Sequence, residues 1–397
     1  MLIKLSSFKS RLKHSPEFDK ETALFIKNIE QELGYGLKIS EIADYDCDLK
    51  LVFIETGGSE GLFIKHLNEL KEPYYLLTNG NNNSLAASLE ILTYLNVNGR
   101  KGEILHGSAK YIAERIKQLA AVSNAKNLLR SARLGVIGQP SDWLVASVPD
   151  YKKVKETLGI TLVDIPLAEV EKGQNDGIKS QTYGAYPEFD KKELEKAIDI
   201  YGSLNGIRNK YKLDGLTVRC FDLLSSLKST GCLALAELNS QGIVATCEGD
   251  IAAMLSMYIA KCLTNKSNFQ ANPSRIDVEN NLVTFAHCTV PLDMVDGYRF
   301  DTHFESGIGV AVKGEMRKGR VTVFRMSSDL KHYFVSGGTL LQNLDEANLC
   351  RTQAVIKLDK PVTNLLKSPC GNHHVIVYGN CVEIINQFMG EFSATHI

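Results

Sequence analysis

The chain has 397 residues, of which 44% are hydrophobic and 23% are charged, and its formal net charge is −1. This length predicts two or three domains, and the near-zero charge gives no reason to expect nucleic acid or an anionic membrane as a partner. No apolar run approaches the ~20 residues that span a bilayer, and charges interrupt the first residues where a signal peptide would need an apolar core. Nine cysteines with scattered spacing and no C-x-x-C motif predict reduced thiols in a cytoplasmic protein.

Residues 1–128 form the first predicted domain, in which short buried strands alternate with helices. Residues 50–55 and 73–78 are predicted strands that end in glycine- and asparagine-rich turns, each followed by a helical run. This order is typical of a parallel sheet covered by helices. The turns contain no G-x-G-x-x-G or P-loop motif, which leaves nucleotide binding with little support. Asn81 is a candidate for hydrogen bonding to a polyol, and loop capping is the alternative.

Residues 129–265 form the second predicted domain and repeat the same α/β pattern. Strands are expected near residues 133–138 and 216–221, and residues 191–210 have the periodicity of an amphipathic helix. Trp143, the only tryptophan, follows the first of these strands in a Pro-Ser-Asp-Trp turn. It is either an apolar wall against the face of a sugar or a packing residue.

Residues 266–397 form the third predicted domain, where helical periodicity fades. Short alternating runs separated by turn residues dominate, for example in residues 320–326 and 374–378. This pattern predicts a mostly antiparallel β domain, in the form of a barrel.

The segment Thr246-Cys247-Glu248-Gly249-Asp250 is the most informative motif of the chain. It lies between a strand-like run and an apolar helical run, and ligands of open α/β sheets bind at such strand-to-helix junctions. Two carboxylates at this point are candidates for metal binding and proton transfer. The competing interpretation is helix-end electrostatics, because acidic residues in a first turn offset the helix dipole.

Histidines in the carboxyl-terminal half of the chain are further candidates for site residues. His373 and His374 precede a predicted strand, and adjacent strand residues point to opposite faces, so we expect at most one of them to reach a given site. His287 ends an apolar strand and His303 lies in a polar loop. Either could orient sugar hydroxyls, bind a metal, or do neither.

The motifs Cys247-Glu248-Gly249-Asp250, Leu263-Thr264-Asn265, Phe269-Gln270-Ala271-Asn272 and Asn372-His373 resemble those of the L-fucose isomerase / L-arabinose isomerase superfamily. The chain resembles a compact, divergent member, because it is much shorter than typical L-fucose isomerases. The resemblance implies two Rossmann-like doubly wound α/β domains followed by a mostly antiparallel β-barrel domain. It also implies a homo-oligomer, a trimer or hexamer, in which a neighbouring subunit can complete the site.

The resemblance further implies aldose–ketose isomerisation through a cis-enediol with a divalent metal, commonly Mn²⁺. By motif, Glu248 corresponds to a metal ligand and acid–base group, and His373 to a metal ligand. The other metal-binding carboxylate of the family falls on Asn272, whose amide can offer a carbonyl oxygen but cannot act as a base. The second proton-transfer group is therefore open, with Asp250, Asp277 and His287 as candidates.

The leading hypothesis is a metal-dependent isomerase of a free sugar or sugar derivative, with Glu248 and Asp250 as catalytic residues. Glu248, Asn272 and His373 are the predicted metal ligands. The predicted substrate-binding residues are His287, His303, Trp143 and Asn81. One alternative is a metal-dependent lyase or epimerase of a sugar or sugar phosphate on the same fold, and another is a non-catalytic sugar-binding protein.

Overall fold

A computed structural model describes residues 2–10, 15–173 and 188–397. The chain divides into two compact units, Met1–Asn124 and Ala125–Ile397. In the described ranges, no helix combines the length and the apolar composition required to cross a bilayer. The three-domain boundaries predicted from the sequence stay a prediction.

The first unit is built on a five-stranded parallel sheet with the order β2-β1-β3-β4-β5. Its strands are β1 (Ile3–Phe8), β2 (Lys38–Ile39), β3 (Leu49–Ile54), β4 (Tyr74–Leu77) and β5 (Gly102–Leu105). Its helices are α1 (Pro16–Leu33), α2 (Glu60–Lys65), the 3-10 turn Leu67–Glu69, α3 (Ser84–Val97) and α4 (Ala109–Ser131), and the unit boundary falls within α4.

Both faces of this sheet are buried, because successive side chains of β3 pack into two different cores. Leu51 and Phe53 pack into a core with α1 and α4, whereas Val52 and Ile54 pack into a second core with α2 and α3. A strand covered on both sides needs apolar residues at consecutive positions, which is why β3 reads as a continuous hydrophobic run. This unit is therefore doubly wound.

The second unit begins with a four-stranded parallel sheet in the order β7-β6-β8-β9. Its strands are β6 (Arg133–Ile137), β7 (Thr161–Ile165), β8 (Gly215–Val218) and β9 (Val244–Thr246). Its helices are α5 (Tyr151–Leu158), α6 (Ala168–Glu171), α7 (Lys191–Tyr211), α8 (Asp222–Ser226), α9 (Cys232–Ser240) and α10 (Ile251–Thr264).

The rest of the second unit is antiparallel. It contains β10 (Asn268–Asp277), β11 (Leu282–His287), the 3-10 turn Leu292–Met294, β12 (Val295–Asp301), β13 (Ala311–Met316), β14 (Gly319–Met326), β15 (His332–Asn343), β16 (Thr352–Leu358), α11 (Thr363–Lys367), β17 (His374–Tyr378), α12 (Val382–Glu391) and β18 (Thr395–His396). Strands β14-β17-β10-β11-β16-β15 pair in that order, and β15 pairs back to β14, which closes a six-stranded barrel.

Inward-facing apolar side chains fill this barrel. Phe269, Phe285, Val323 and Ile356 belong to one buried cluster that extends along several strands. Closure removes the exposed edges that an open antiparallel sheet would present. The parallel α/β sheets and the barrel confirm the fold class predicted from the sequence.

Candidate metal and sugar site

The site forms where β9 gives way to α10. Glu248 and Gly249 both have positive φ angles, 64° and 69°, so the chain turns sharply between the strand and the helix. A Cβ atom at Gly249 would lie 2.7 Å from Cα of Pro140, so this position accepts only glycine. A left-handed conformation at a non-glycine residue costs about 1–3 kcal/mol and is characteristic of functional sites. The turn therefore holds Glu248 in a left-handed backbone conformation that a glutamate rarely adopts.

Asp250 forms the N-cap of α10 and is fully buried. Its Oδ1 accepts a hydrogen bond from the backbone N–H of Ala253 at 2.7 Å, and its carboxylate receives both terminal nitrogens of Arg325 at 3.2 Å. Oδ2 also accepts a hydrogen bond from Nδ1 of His373 at 2.8 Å. Burial alone would raise the pKa of Asp250, but the charge of Arg325 and the His373 bond lower it to about 2. Asp250 is thus an ionised group behind the site, and it does not line the cavity described below.

Arg325 anchors this buried network, and the sequence analysis did not single it out. It lies on β14 with no exposed surface, and it also donates to Oγ of Ser147 at 3.0 Å. Gly371 makes room for it, because a Cβ at that position would lie 2.8 Å from its Nη2 atom. A buried guanidinium needs a paired carboxylate, and Asp250 supplies it in a bidentate arrangement.

His373 connects this network to Glu248. Because Nδ1–H donates to Asp250, Nε2 is the atom that faces Oε1 of Glu248, at 3.3 Å. Burial lowers the pKa of His373, but the two carboxylates outweigh burial and raise the pKa to about 9. His374 points elsewhere: its ring packs against Phe285 and Phe334, and burial together with the charge of Arg325 lowers its pKa to about 3. The two adjacent histidines therefore have different surroundings, as strand alternation predicts.

Glu248 is held from both sides. Nε1 of Trp143 donates a hydrogen bond to Oε2 at 2.7 Å, and Nε2 of His287 lies 3.8 Å from Oε1. Burial favours the neutral acid, but hydrogen bonds and charges from His287 and His373 hold the pKa of Glu248 well below its usual range. The carboxylate is therefore ionised and oriented toward two imidazoles.

Glu248, His287 and His373 can hold a metal ion together. Each offers one ligand atom, and these three atoms lie within 4.8 Å of one another. Nε2 of His373 and Oδ1 of Asn272 are both buried with no aligned hydrogen-bond partner among the described residues. Buried polar atoms are normally satisfied, so two ligand atoms without a partner are consistent with residues that can bind a metal ion. One carboxylate with two imidazoles, and a neutral amide oxygen nearby, suits a divalent transition metal.

A cavity of about 140 Å³ opens beside this cluster. The polar residues of its lining include Glu248, Asn272, His287, His303 and Glu305, and the apolar ones include Phe221, Leu224, Phe304 and Leu349. His373 is fully buried next to Glu248 and His287 and does not reach the wall. A lining of aromatic and apolar side chains with a few polar groups is common in sites that bind small molecules.

The remaining predicted residues occupy different places. His303 lines the cavity, with its ring 5.4 Å from that of Phe221. Trp143 is half exposed and packs edge-on against the same Phe221 ring at 5.0 Å, and it acts on the site through its bond to Glu248. Asp277 lies at the end of β10, where it bonds to Asn280, and is not on the cavity wall. Asn81 lies in the first unit, exposed in the loop before α3.

Sequence reasoning missed several wall residues. Phe221, Phe304 and Glu305 carry no motif, although two of them directly follow His303 in the chain. His303 was the signal in the sequence for Phe304 and Glu305, because a candidate site histidine in a polar loop makes the residues that follow it candidates as well. Five of the nine cysteines also line the cavity, and the sequence analysis predicted reduced thiols without assigning any of them to a site.

Comparison with known proteins gives an independent indication. The chain is 24% identical to the sulfoquinovose isomerase of Priestia megaterium over 69% of its own length and 66% of that protein. It is 22% identical to the sulfoquinovose isomerase of Alkalicoccus urumqiensis over 77% of its length and 74% of that protein. A third sulfoquinovose isomerase, from a Clostridium species, is 30% identical over 47% of the chain and 43% of the relative.

The match to the Priestia protein covers just under two thirds of that relative's length. No protein-family model matches the chain. Sugar isomerases are thus similar to this chain over most of its length, and the same chain carries a Glu-His-His cluster that can bind a metal ion.

Proposed function

We propose that the protein is a metal-dependent aldose–ketose isomerase. The observation that carries this proposal is the convergence of Glu248, His287 and His373 beside a cavity that Glu248 and His287 line, with ligand atoms of His373 and Asn272 that lack a hydrogen-bond partner among the described residues. The similarity to proteins named sulfoquinovose isomerase supports it.

In this proposal Glu248, His287 and His373 hold the metal, and Oδ1 of Asn272 is a further neutral ligand. Mn²⁺ is the ion we expect, since carboxylate, amide and imidazole ligands suit it. When bound, the ion supplies positive charge that stabilises the negative charge developing on the sugar oxygens during enolisation. His287 was also a candidate for proton transfer, but its Nε2 belongs to the ligand cluster while its Nδ1 contacts Oγ1 of Thr289 at 3.1 Å.

Asp250 acts as a positioning residue in this account. Its bond to Nδ1 fixes the His373 ring and leaves Nε2 directed at the ligand cluster, which is the usual function of a carboxylate behind a ligating histidine. Arg325 fixes Asp250 in turn, through two nitrogen–oxygen contacts of 3.2 Å. Trp143 restrains the other oxygen of Glu248.

Isomerisation requires that a proton leaves C2 of the aldose and that a proton arrives at C1, while the C2 hydroxyl loses its proton and the C1 carbonyl oxygen gains one. Glu248 is the group we assign to proton transfer at carbon. Glu305 is the other carboxylate on the cavity wall, and it replaces Asp250 and Asp277 as the proposed partner because neither of those two lines the cavity. Two carboxylates on one cavity can divide proton removal and proton return between them.

The substrate class we propose is an aldose, and a sulfonated aldose is the first to test because of the names of the relatives. Phe221 and Phe304 can cover the apolar face of a sugar ring, and His303 can bond to a hydroxyl. A cytoplasmic location and a homo-oligomeric state stay predictions from the sequence.

The test starts from chain stripped of metal with EDTA and then supplied with Mn²⁺. Single aldoses, beginning with sulfoquinovose and followed by neutral and deoxy hexoses, are incubated with it and the products are identified by ¹H NMR. We expect a ketose to form only with metal, and the rate to fall by at least about 10²–10⁴-fold in Glu248→Gln, because this variant loses the acid–base group and a metal ligand together. Glu279→Gln, at an exposed turn, is the matched control and should retain full activity.

Other outcomes identify the alternatives. Cleavage products indicate a lyase, and an aldose with one inverted centre indicates an epimerase. Stoichiometric sugar binding that ignores EDTA, without turnover, indicates a binding protein. If no aldose is converted to a ketose with any divalent metal, the proposed function is wrong.

A further inference from the structure

Thiols are concentrated on the wall of the cavity. Five of the nine cysteines line it: Cys220, Cys232, Cys247, Cys288 and Cys350. A buried cysteine is usually a small core residue, and each of these would be unremarkable alone. Their collection on one cavity, beside the Glu-His-His cluster, places several thiols within reach of any small reagent that enters.

Cys288 is the centre of a group of three. Cys232 and Cys288 form one buried cluster with Ala311, and the partly buried Cys350 packs against it. The backbone N–H of Arg351 donates to the Cys288 sulfur at 3.5 Å. Cys288 therefore has two thiol neighbours and a donor that fixes the position of its sulfur.

Barrel register explains why Cys350 comes close. His287 at the end of β11 is paired with Thr352 at the start of β16. Cys288 follows the first strand and Cys350 precedes the second, so the two thiols meet just beyond the last paired residues. Cys350 lies between β15 and β16, outside both strands, and is partly exposed.

The third thiol is less free to move. Cys232 is the first residue of α9 and is buried, so the helix fixes its backbone. A disulfide requires specific separation and orientation of the two Cβ atoms, which a loop residue can reach by a small backbone shift. Cys350 is accordingly the better partner for Cys288.

We propose that Cys288 and Cys350 are a peroxide-reactive thiol pair that closes to a disulfide on the cavity wall. One thiol loses its proton, and the thiolate attacks an oxygen of hydrogen peroxide. The O–O bond breaks, a sulfenic acid forms, and the departing hydroxide takes up the released proton to give one water. The second thiol attacks the sulfenic sulfur, the S–S bond forms, and the hydroxyl group leaves as a second water. Two thiols lose two electrons in total, and one peroxide is reduced to two waters.

The disulfide would tie the segment before β16 to the end of β11, directly beside His287. It would thereby fix one wall of the cavity. This inference does not depend on the proposed isomerase activity, because it concerns only the thiols and the oxidant.

The experiment uses the full chain, fully reduced and then treated with a small excess of hydrogen peroxide. Free thiols are counted with a chromogenic disulfide under denaturing conditions, and linked peptides are identified by mass spectrometry. We expect the count to fall by two, from nine to seven, with a Cys288–Cys350 peptide as the main product, and to return to nine with dithiothreitol.

Two variants make the assignment specific. Cys350→Ser should lose this linkage and give instead a sulfenic acid at Cys288 that a dimedone probe traps. Cys47→Ser is the matched control, because Cys47 is also partly buried but lies in the first unit. It should behave like the native chain, with a loss of two thiols from eight. Retention of all nine thiols in the native chain, or a main linkage between other cysteines, would overturn the proposal.

Discussion

Two strand-to-helix junctions in parallel sheets, one in each unit, differ in what surrounds them. The junction between β4 and α3 is rich in asparagine and bonds to its own unit: Oγ of Ser84 donates to the carbonyl of Ile54, and the backbone N–H of Gly57 donates to the carbonyl of Asn82 at 2.8 Å. The junction between β9 and α10 carries carboxylates that contact residues over a hundred positions away, including His373.

The difference lies in the partners that the barrel supplies. Arg325 comes from β14, His287 from β11, and His373 from the residue just before β17. The same kind of junction thus serves as a capped loop where its neighbours are local and as a cluster of potential ligands where a barrel supplies imidazoles. Position in an α/β sheet makes a site available, and the residues brought by other elements decide its chemistry.

The largest expected effect tests the network behind the second junction. Arg325→Met leaves Asp250 buried without its main partner, and breaking a buried ion pair costs about 3–5 kcal/mol. We expect a loss of that size in the unfolding free energy, measured by urea denaturation.

Arg320→Met is the matched control for Arg325→Met. Arg320 lies on the same strand as Arg325 and pairs with Asp359. This ion pair is exposed, and exposed ion pairs contribute about 0–1 kcal/mol to the unfolding free energy. If the two variants lose the same unfolding free energy, the buried Arg325–Asp250 pair does not stabilise the fold more than an exposed pair does.

A second test asks whether the cavity beside the junction carries the chemistry. Glu305→Gln removes the second carboxylate of the wall without touching the proposed ligands, so we expect kcat to fall by about 10²-fold while Mn²⁺ affinity stays unchanged. Steady-state kinetics together with calorimetric titration of the metal separates the two quantities. An unchanged kcat would remove Glu305 from the mechanism.

A third test uses pH on the metal-free protein. His373 has an ordinary pKa of 6.5 and a folded-state pKa of about 9, since burial is outweighed by Asp250 and Glu248; His287, His374 and Arg325 are the other charged or titratable groups nearby. Because folding raises the pKa of His373, the protonated imidazole stabilises the fold. This contribution is fully present below pH 6.5 and disappears as pH rises to about 9.

With EDTA present, the unfolding free energy should therefore decrease across this window, by a few kcal/mol at most, because one pKa unit is equivalent to about 1.4 kcal/mol. His373→Gln should lose most of the slope, which separates this effect from thiol ionisation. A native chain whose stability is constant or rises with pH in the window contradicts the assignment.

The smallest effect is expected at the first junction. Asn81→Ala removes one neutral hydrogen-bonding side chain, and a single such bond contributes about 0.5–1.5 kcal/mol. If Asn81 binds the sugar, as the sequence predicts, KM should rise by about tenfold or less with kcat unchanged. An unchanged KM would restrict the role of this loop to capping.

Much of the fold could be predicted from the sequence because its signals are local. Consecutive apolar residues in β3 indicate a strand buried on both faces, and the Asp250 cap with the apolar run behind it indicates the start of α10. Two short motifs also predicted Glu248 and His373 as site residues, and the structure places Oε1 of Glu248 3.3 Å from Nε2 of His373.

The rest of the site depends on pairings distant in sequence. Arg325 is one charged residue in an apolar strand, and nothing nearby in the chain shows that Asp250, 75 positions away, is its partner. The ligand geometry of His287 likewise results from barrel closure, which no local pattern encodes. The same holds for the thiols of Cys288 and Cys350, which meet only because β11 and β16 pair in one register.

Titration of the metal-free chain with Mn²⁺ by isothermal calorimetry tests the central claim most directly. The account predicts one ion per chain in the native protein and in Glu279→Gln, and no saturable binding in Glu248→Gln. A native chain that binds no Mn²⁺ stoichiometrically, or a Glu248→Gln variant that binds it as tightly as the native chain, would contradict the claim that Glu248, His287 and His373 form the metal site.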